Sequence, residues 1–154
     1  MKRTILLVFC IAACRSSSSS TTGTTSGSSG SAAAANLPGA TGPRQAVERF
    51  LGAAKAGDIQ ELGIAWGTAK GPARESMERT ELDKRVTVMA GCYDAEKHRI
   101  IDDLPGEGGK RVLRVEMTKA GVTKTPRFTT VKGPSDRWYV EDADFAAITA
   151  FCRR

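Results

Sequence analysis

The sequence lacks the motifs that usually identify an enzyme or a metalloprotein. It has one histidine, His98, and no G-x-S-x-G segment, so a serine hydrolase is not indicated. Without a second histidine or a ligand spacing around the first, no metal site is predicted, and His98 is expected to be exposed and incidental. Residues 67–71 carry a lysine between two glycines but lack the full phosphate-loop spacing. No cofactor is therefore predicted.

The sequence also lacks a basic cluster. The chain carries a formal net charge of +6, spread along its length without a run of lysines. A nucleic-acid-binding protein would show a basic stripe or a recognisable motif. Nucleic acid is therefore not an expected partner.

A third absence is a long apolar run. The longest, residues 5–13, follows Lys2 and Arg3 and is far shorter than the roughly 20 residues of a membrane-spanning helix. A basic start and a short apolar stretch that ends in small residues are typical of a secretory leader. Residues 1–13 are accordingly predicted to be a signal peptide, whose removal lowers the net charge to +4 because two basic residues leave with it.

The leader ends in Ile11-Ala12-Ala13, and Cys14 follows directly. This pattern resembles the bacterial lipobox, which implies that Cys14 is lipidated and becomes the new N-terminus. One acyl chain binds a membrane only marginally, whereas two or three form a stable anchor. A plain secretory peptide with an incidental cysteine is the alternative. Since Arg15 is not acidic, the expected location is the outer membrane, facing the periplasm.

Residues 15–36 contain almost only serine, threonine, glycine and alanine. Such a segment buries too little apolar surface to offset the entropy of ordering. Residues 14–36 are therefore predicted to be a lipidated, disordered tether, whose 22 residues after Cys14 span roughly 25 Å as a flexible coil. The folded domain is expected at residues 37–154.

Three helices are predicted between residues 43 and 93. Pro43 suits the first position of the first helix, and Gly57 suits its end. Asp58 and Glu61 form a capping-box pattern for a short second helix. A third helix is expected at about residues 79–93, while residues 74–77 are either a separate helical turn or a loop. The apolar face of the first helix consists of Val47, Phe50, Leu51 and Ala54.

Four strands are predicted next, at about residues 98–104, 110–119, 122–132 and 137–141. Alternating apolar and polar residues in the second indicate a sheet with one buried face. Pro126 indicates a bulge or an edge position in the third. In the fourth, Tyr139 is expected on the outer face.

A short final helix, capped by Asp144, is expected to bury Phe145 and Ile148. The predicted fold class is α+β: three N-terminal helices packed against a four-stranded antiparallel sheet, followed by a short C-terminal helix.

Several of these features together resemble a known family. The early helix ends in Ala-Gly-Asp at residues 56–58, the third helix carries Glu81 and Arg85, and residues 137–145 read RWYVEDADF, with Cys152 near the end. This order is similar to the nuclear transport factor 2-like (cystatin-like) fold, and more narrowly to small bacterial lipoproteins of that superfamily. The resemblance implies a curved, cone-like sheet around a long helix, with a partly apolar cavity. Members include ketosteroid isomerase-like enzymes, dehydratases and non-catalytic binding modules.

The function predicted from these patterns is a non-catalytic module that binds a small apolar ligand or a partner protein of the envelope. An isomerase or dehydratase using one buried aspartate, Asp102 or Asp103, is the alternative. Neighbours on a strand point to opposite faces, so these two are not expected to cooperate, and the first helix offers no tyrosine for an isomerase-like oxyanion hole. Residues predicted to line a cavity, or else simply to pack in the core, are Phe50, Trp66, Leu113, Met117, Phe128 and Trp138.

Two further predictions concern covalent and quaternary structure. Cys92 and Cys152 would lie in an oxidising compartment after export, and a disulfide between them would staple the third helix to the C-terminus. Two separate buried thiols are the alternative. A homodimer through the open face of the sheet is a third hypothesis, because Val112, Thr129 and Val131 give that face a modestly apolar character.

Overall fold

The computed structural model describes residues 37–152 of the chain. The predicted leader, the lipidation site Cys14 and the tether lie outside the described residues. In the described part there are five α-helices, α1 (Pro43–Ala56), α2 (Ile59–Ala65), α3 (Ala73–Ser76), α4 (Arg79–Tyr93) and α5 (Thr149–Cys152). The strands are β1 (Gly67–Thr68), β2 (Gly71–Pro72), β3 (Lys97–Pro105), β4 (Arg111–Lys119), β5 (Val122–Lys124), β6 (Arg127–Lys132) and β7 (Trp138–Ala143). None of these helices has the length and hydropathy of a bilayer span.

Helices α1 and α2 begin and end where the sequence predicts. Pro43 occupies the first turn of α1, and Gly57 ends it in the left-handed conformation at φ 67°. Asp58 caps α2 by accepting from the backbone N–H of Gln60 and Glu61. Only this half of the capping box forms, because the Glu61 carboxylate pairs with Arg49 of α1 instead.

Helix α4 has the predicted bounds and is capped by Glu78, whose carboxylate accepts from two backbone N–H groups in the first turn. Those bonds hold the pKa of Glu78 below its usual value. The segment before α4 adds a hairpin that was not predicted, and of the two alternatives for residues 74–77 the helical turn is the one observed. Its residues form the small antiparallel hairpin β1–β2 and the separate one-turn helix α3.

The α+β class and the antiparallel sheet are confirmed, but the sheet has five strands rather than four. Its order is β3-β4-β6-β7, and β5 pairs with β4. The predicted third strand is divided into β5 and β6 at Thr125 and Pro126. Proline has no N–H to donate to a ladder, and Pro126 only accepts, through its carbonyl, from the N–H of Val115 at 3.1 Å. The missing donor explains the division.

The core lies between the helices and the inner face of the sheet. The rings of Phe50, Tyr93 and Phe128 pack edge to face, with centroids 5.4 to 5.9 Å apart, an arrangement that aromatic pairs prefer. From β4 the alternate residues Leu113 and Met117 are fully buried beneath them. The predicted alternation of β4 is confirmed.

The start of the described chain is fixed to the first residues of β7. Ala40 and Trp138 exchange two backbone hydrogen bonds, at 3.0 and 2.9 Å, and the Tyr139 hydroxyl donates to the Pro38 carbonyl at 3.1 Å. Gly39 has φ +90°, and a Cβ there would lie 2.8 Å from the Tyr139 ring. We call these five residues the N-terminal clamp. Tyr139 lies on the outer face of the sheet, opposite to the face of Val140. Residues on that face are usually exposed, but the clamp buries Tyr139.

The C-terminus is fixed by the predicted disulfide. Cys92 of α4 and Cys152 of α5 are bonded, with Cα atoms 4.4 Å apart. Beside the disulfide, the Lys119 Nζ donates to the carbonyls of Gly91 and Phe151 at 2.9 and 3.0 Å. One end of β4 thereby holds both helices that the disulfide joins.

Candidate functional site

A groove of about 570 Å³ lies between α4, Trp66 and the end of β7. Its size is within the range of small-molecule sites. Two groups of residues line it: the apolar set is Phe50, Trp66, Val88, Met89, Tyr93, Ala143 and Phe145, and the charged set is Lys84, Arg85, Glu141 and Asp142.

The apolar lining of the groove is partly exposed to solvent. Val88 is 53 % exposed and Phe145 is 42 % exposed, although both are large apolar side chains. Phe145 was predicted to be buried under the final helix, and that prediction is wrong, whereas Ile148 is fully buried as expected. Phe145 lies outside the core because it precedes the helical turn of residues 146–148 and faces the groove.

The polar backbone of β7 fixes two aromatic walls of the groove. Trp66 pairs through its backbone with Val140, and its indole N–H donates to the Glu141 carbonyl at 3.4 Å. The Tyr93 hydroxyl donates to the Ala143 carbonyl at 2.9 Å. Burial raises the pKa of Tyr93, and nearby carboxylates raise it further, so this tyrosine is a neutral donor at physiological pH. Its hydroxyl serves structure rather than proton transfer.

The rim of the groove has opposite charges on its two sides. Lys84 and Arg85 lie on α4, and Glu141 and Asp142 lie on β7. Arg85 pairs with Glu81 one helical turn away. Glu141 pairs with Lys110 of the loop between β3 and β4. These pairs lower the net charge at the entrance, which leaves the apolar walls as the main feature of the site.

The structure distributes the six predicted cavity residues over three places. Phe50 and Trp66 line the groove. Leu113, Met117 and Phe128 are fully buried in the core. Trp138 is half-buried at the other end of β7, where the Lys132 ammonium lies 5.7 Å from its ring.

Sequence reasoning missed five apolar residues of the groove, Val88, Met89, Tyr93, Ala143 and Phe145. Met89 and Tyr93 carried a usable signal, since both lie on the apolar face of α4 that ends at the groove. Val88 sits on the polar side of that helix, and Phe145 follows a strand, so neither position has a pattern that points to a site.

The aspartates considered for catalysis lie outside this groove. The Asp102 carboxylate accepts from the Arg114 Nε at 2.7 Å, and this arginine holds the pKa of Asp102 below its usual value. Asp103 accepts from the Arg111 Nε at 2.7 Å. A general base of the isomerase kind needs free access to substrate, which neither arrangement favours.

The sequence suggested that His98 is exposed and incidental, but in the structure its side chain has a partner. Its Nε2 lies 2.6 Å from the Glu48 carboxylate of α1, so it joins the edge of the sheet to a helix. Within residues 37–152 no group of three or more metal-ligating side chains lies together.

Comparison with known proteins leaves the family open. No protein-family model, curated protein or solved structure matches this chain. The likeness to the nuclear transport factor 2-like fold therefore rests on the order of elements and on the residues quoted for it.

Proposed function

We propose that this protein is a non-catalytic binding module, held at the bacterial envelope by a lipid on Cys14, whose groove takes a small apolar molecule. The observation that carries the proposal is the groove itself. It presents Trp66, Met89, Val88 and Phe145 around a volume of about 570 Å³, and two of these side chains remain exposed. Exposed apolar surface in a concave site favours a ligand that removes it from water.

The exposed apolar side chains of the groove would supply part of the binding free energy. Burial of apolar surface contributes about 25 cal/mol per Å². Val88 and Phe145 are about half exposed, so covering each would contribute roughly half of the 1.5 to 3 kcal/mol that full burial of such a side chain provides, before the cost of association. A ligand that also covers the aromatic walls would bind more tightly. An apolar body with few polar groups fits this lining better than a sugar or a nucleotide.

The serine- and glycine-rich composition of residues 15–36, which predicts a tether, supports the location in the proposal. A flexible span of roughly 25 Å would keep the groove close to the membrane surface, where apolar molecules partition. The helices that precede an antiparallel sheet support the resemblance to lipoproteins of the nuclear transport factor 2-like superfamily. We include that fold and the outer membrane in the proposal.

A fluorescent probe tests the groove. N-phenyl-1-naphthylamine is neutral and apolar, and it fluoresces strongly out of water. We expect it to bind the chain that begins at Arg15 and to quench Trp66, so that Trp66→Phe removes the quenching and Trp138→Phe does not.

A matched pair of valine variants locates the site. Val88→Glu places a charge in the groove, whereas Val122→Glu makes the same change at an exposed valine of β5, away from it. We expect at least tenfold weaker probe binding for the first and no change for the second. Equal binding by both variants, or no binding by the parent chain, would contradict the proposal. Native mass spectrometry of the protein from its host would then identify the natural ligand.

A further inference from the structure

Strand β3 is the edge of the five-stranded sheet. It pairs with β4 on one side, and no other strand of residues 37–152 pairs with it on the opposite side. Its nine residues therefore present a row of outward N–H and C=O groups, which is a template for pairing with another strand. Ile101 and Leu104 are large apolar residues exposed along it.

The charges of β3 change sign at its middle. The first three residues, 97–99, read Lys-His-Arg, and Asp102 and Asp103 follow two isoleucines. A strand with this order is complementary to itself when two copies run antiparallel. The basic half of each then faces the acidic half of the other, and the isoleucines meet at the centre.

A β-bulge at Ile101 determines which residues share a face. The pairing of β3 with β4 shifts between Ile100 and Asp102, so Ile101 is an extra residue. Before the bulge, Arg99 lies on the outer face, where it pairs with Glu116 of β4 at 3.1 Å. After it, Asp102 lies on that same face, paired with a β4 arginine.

The inner face shows the same consequence of the bulge. His98 and Asp103 both reach towards α1, where they meet Glu48 at 2.6 Å and Arg44 at 3.9 Å. An antiparallel pair centred between Ile100 and Ile101 therefore places Arg99 opposite Asp102, and His98 opposite Asp103, with matching faces. Without the bulge these partners would lie on opposite faces.

Across such a junction the charges alternate. On the outer face the row would run Glu116, Arg99, then Asp102 and Arg114 of the second copy. On the helix side, Glu48 of one copy would approach Arg44 of the other, and both side chains are more than half exposed. Complementary charge favours one register and one partner. The alternating charges on both faces therefore favour a second copy of this chain as the partner.

We propose that β3 pairs antiparallel with β3 of a second copy, which joins the two sheets into one across a two-fold axis between Ile100 and Ile101. The observation behind the proposal is that the charges along an edge strand change from basic to acidic, and that a bulge places the basic and acidic residues on matching faces. This surface is the edge of the sheet and differs from the open face that the sequence suggested for a dimer.

Cysteine crosslinking in membranes of the host that expresses the full chain tests the register. Lys97 and Leu104 lie on the outer face and would be directly opposite each other, at the separation that a disulfide needs. Within one chain they are roughly 23 Å apart and cannot bridge. We expect the double variant Lys97→Cys/Leu104→Cys to form a covalent dimer on oxidation with copper phenanthroline.

The single variants are the controls. Lys97→Cys or Leu104→Cys alone places its cysteine roughly 23 Å from its copy in this register, so each should stay at the background of the parent chain. Equal dimer from a single variant and the double variant would indicate random collision and overturn the proposal. So would the absence of dimer from the double variant.

A second pair of variants tests the strand itself. Ile101→Lys, added to the double variant, places two like charges at the centre of the junction and should reduce the covalent dimer at least tenfold. Val122→Lys changes an equally exposed residue, at 42 % against 40 % for Ile101, on a different strand, and should leave it unchanged. An intact Cys92–Cys152 disulfide in every variant, read by mass, shows that the domain is folded. Equal crosslinking by both lysine variants would reject pairing through β3.

Discussion

Opening the Cys92–Cys152 disulfide should cost this protein about 4 kcal/mol of unfolding free energy. The two cysteines are 60 residues apart in sequence. In the chain-entropy model, a closed loop of that length removes about 14 cal/mol/K of entropy from the unfolded chain, which is about 4 kcal/mol at 25 °C. That is a large fraction of the 5 to 15 kcal/mol by which small domains are stable.

The folded domain should survive the loss of the disulfide. Ile148 and Phe151 remain buried, and Lys119 still bonds the Phe151 carbonyl, so the C-terminal segment keeps contacts that do not involve sulfur. The destabilisation therefore comes mainly from a freer unfolded chain, and the dependence of stability on urea should steepen slightly as that chain exposes more surface.

Urea unfolding, followed by the fluorescence of Trp66 and Trp138, measures the effect. With a slope of about 1.5 to 2 kcal/mol/M, the midpoint should fall by roughly 2 to 3 M in Cys92→Ala/Cys152→Ala. Reductant should shift the parent chain by the same amount and leave the double variant unchanged. A loss below about 1 kcal/mol would refute loop closure as the main contribution.

Three further predictions address other parts of the chain. Gly39→Ala should cost about 2 to 4 kcal/mol, because a side chain there is strained and crowded, while Gly52→Ala, in open space on α1, should stabilise by about 0.5 to 1 kcal/mol; thermal melts compare them. Burial raises the pKa of Tyr93, so the stability that this group contributes to the fold should be complete below the unfolded pKa of about 10 and be lost as the pH rises from there towards the folded pKa. Tyr93→Phe should therefore flatten the profile of stability against pH above pH 10. Cys14→Ala should release the protein from membranes with its domain folded; persistent membrane retention would count against lipidation.

Local signals predicted the helices and most of the strands. Pro43, Gly57 and Asp58 act within one turn of their own position, so their effect could be inferred without knowledge of the fold. The division at Pro126 was only half inferred. Its missing N–H predicts an irregularity, but whether a strand bends or divides depends on the neighbour, here β4.

The groove was harder to predict because its residues come from distant parts of the chain. Phe50, Trp66 and Phe145 meet only after the helices pack on the sheet. Leu113 and Phe128 carry the same apolar pattern, yet the core covers them completely. An apolar pattern predicts that a residue is removed from water, but whether another side chain or a ligand covers it depends on the fold.

The proposed functions use separate parts of one sheet, so they do not compete. The N-terminal clamp fixes the start of the described chain at the first residue of β7, and the groove lies at the other end of that strand, about 17 Å away at 3.3 Å per residue. Strand β3 is three strands from β7 in the sheet, or about 14 Å. Pairing through β3 would therefore leave both grooves open. It would also give the assembly two of the proposed lipid anchors, and release of one would leave the other at high effective concentration near the membrane. A dimer formed through the clamp or the groove would lose one of these properties.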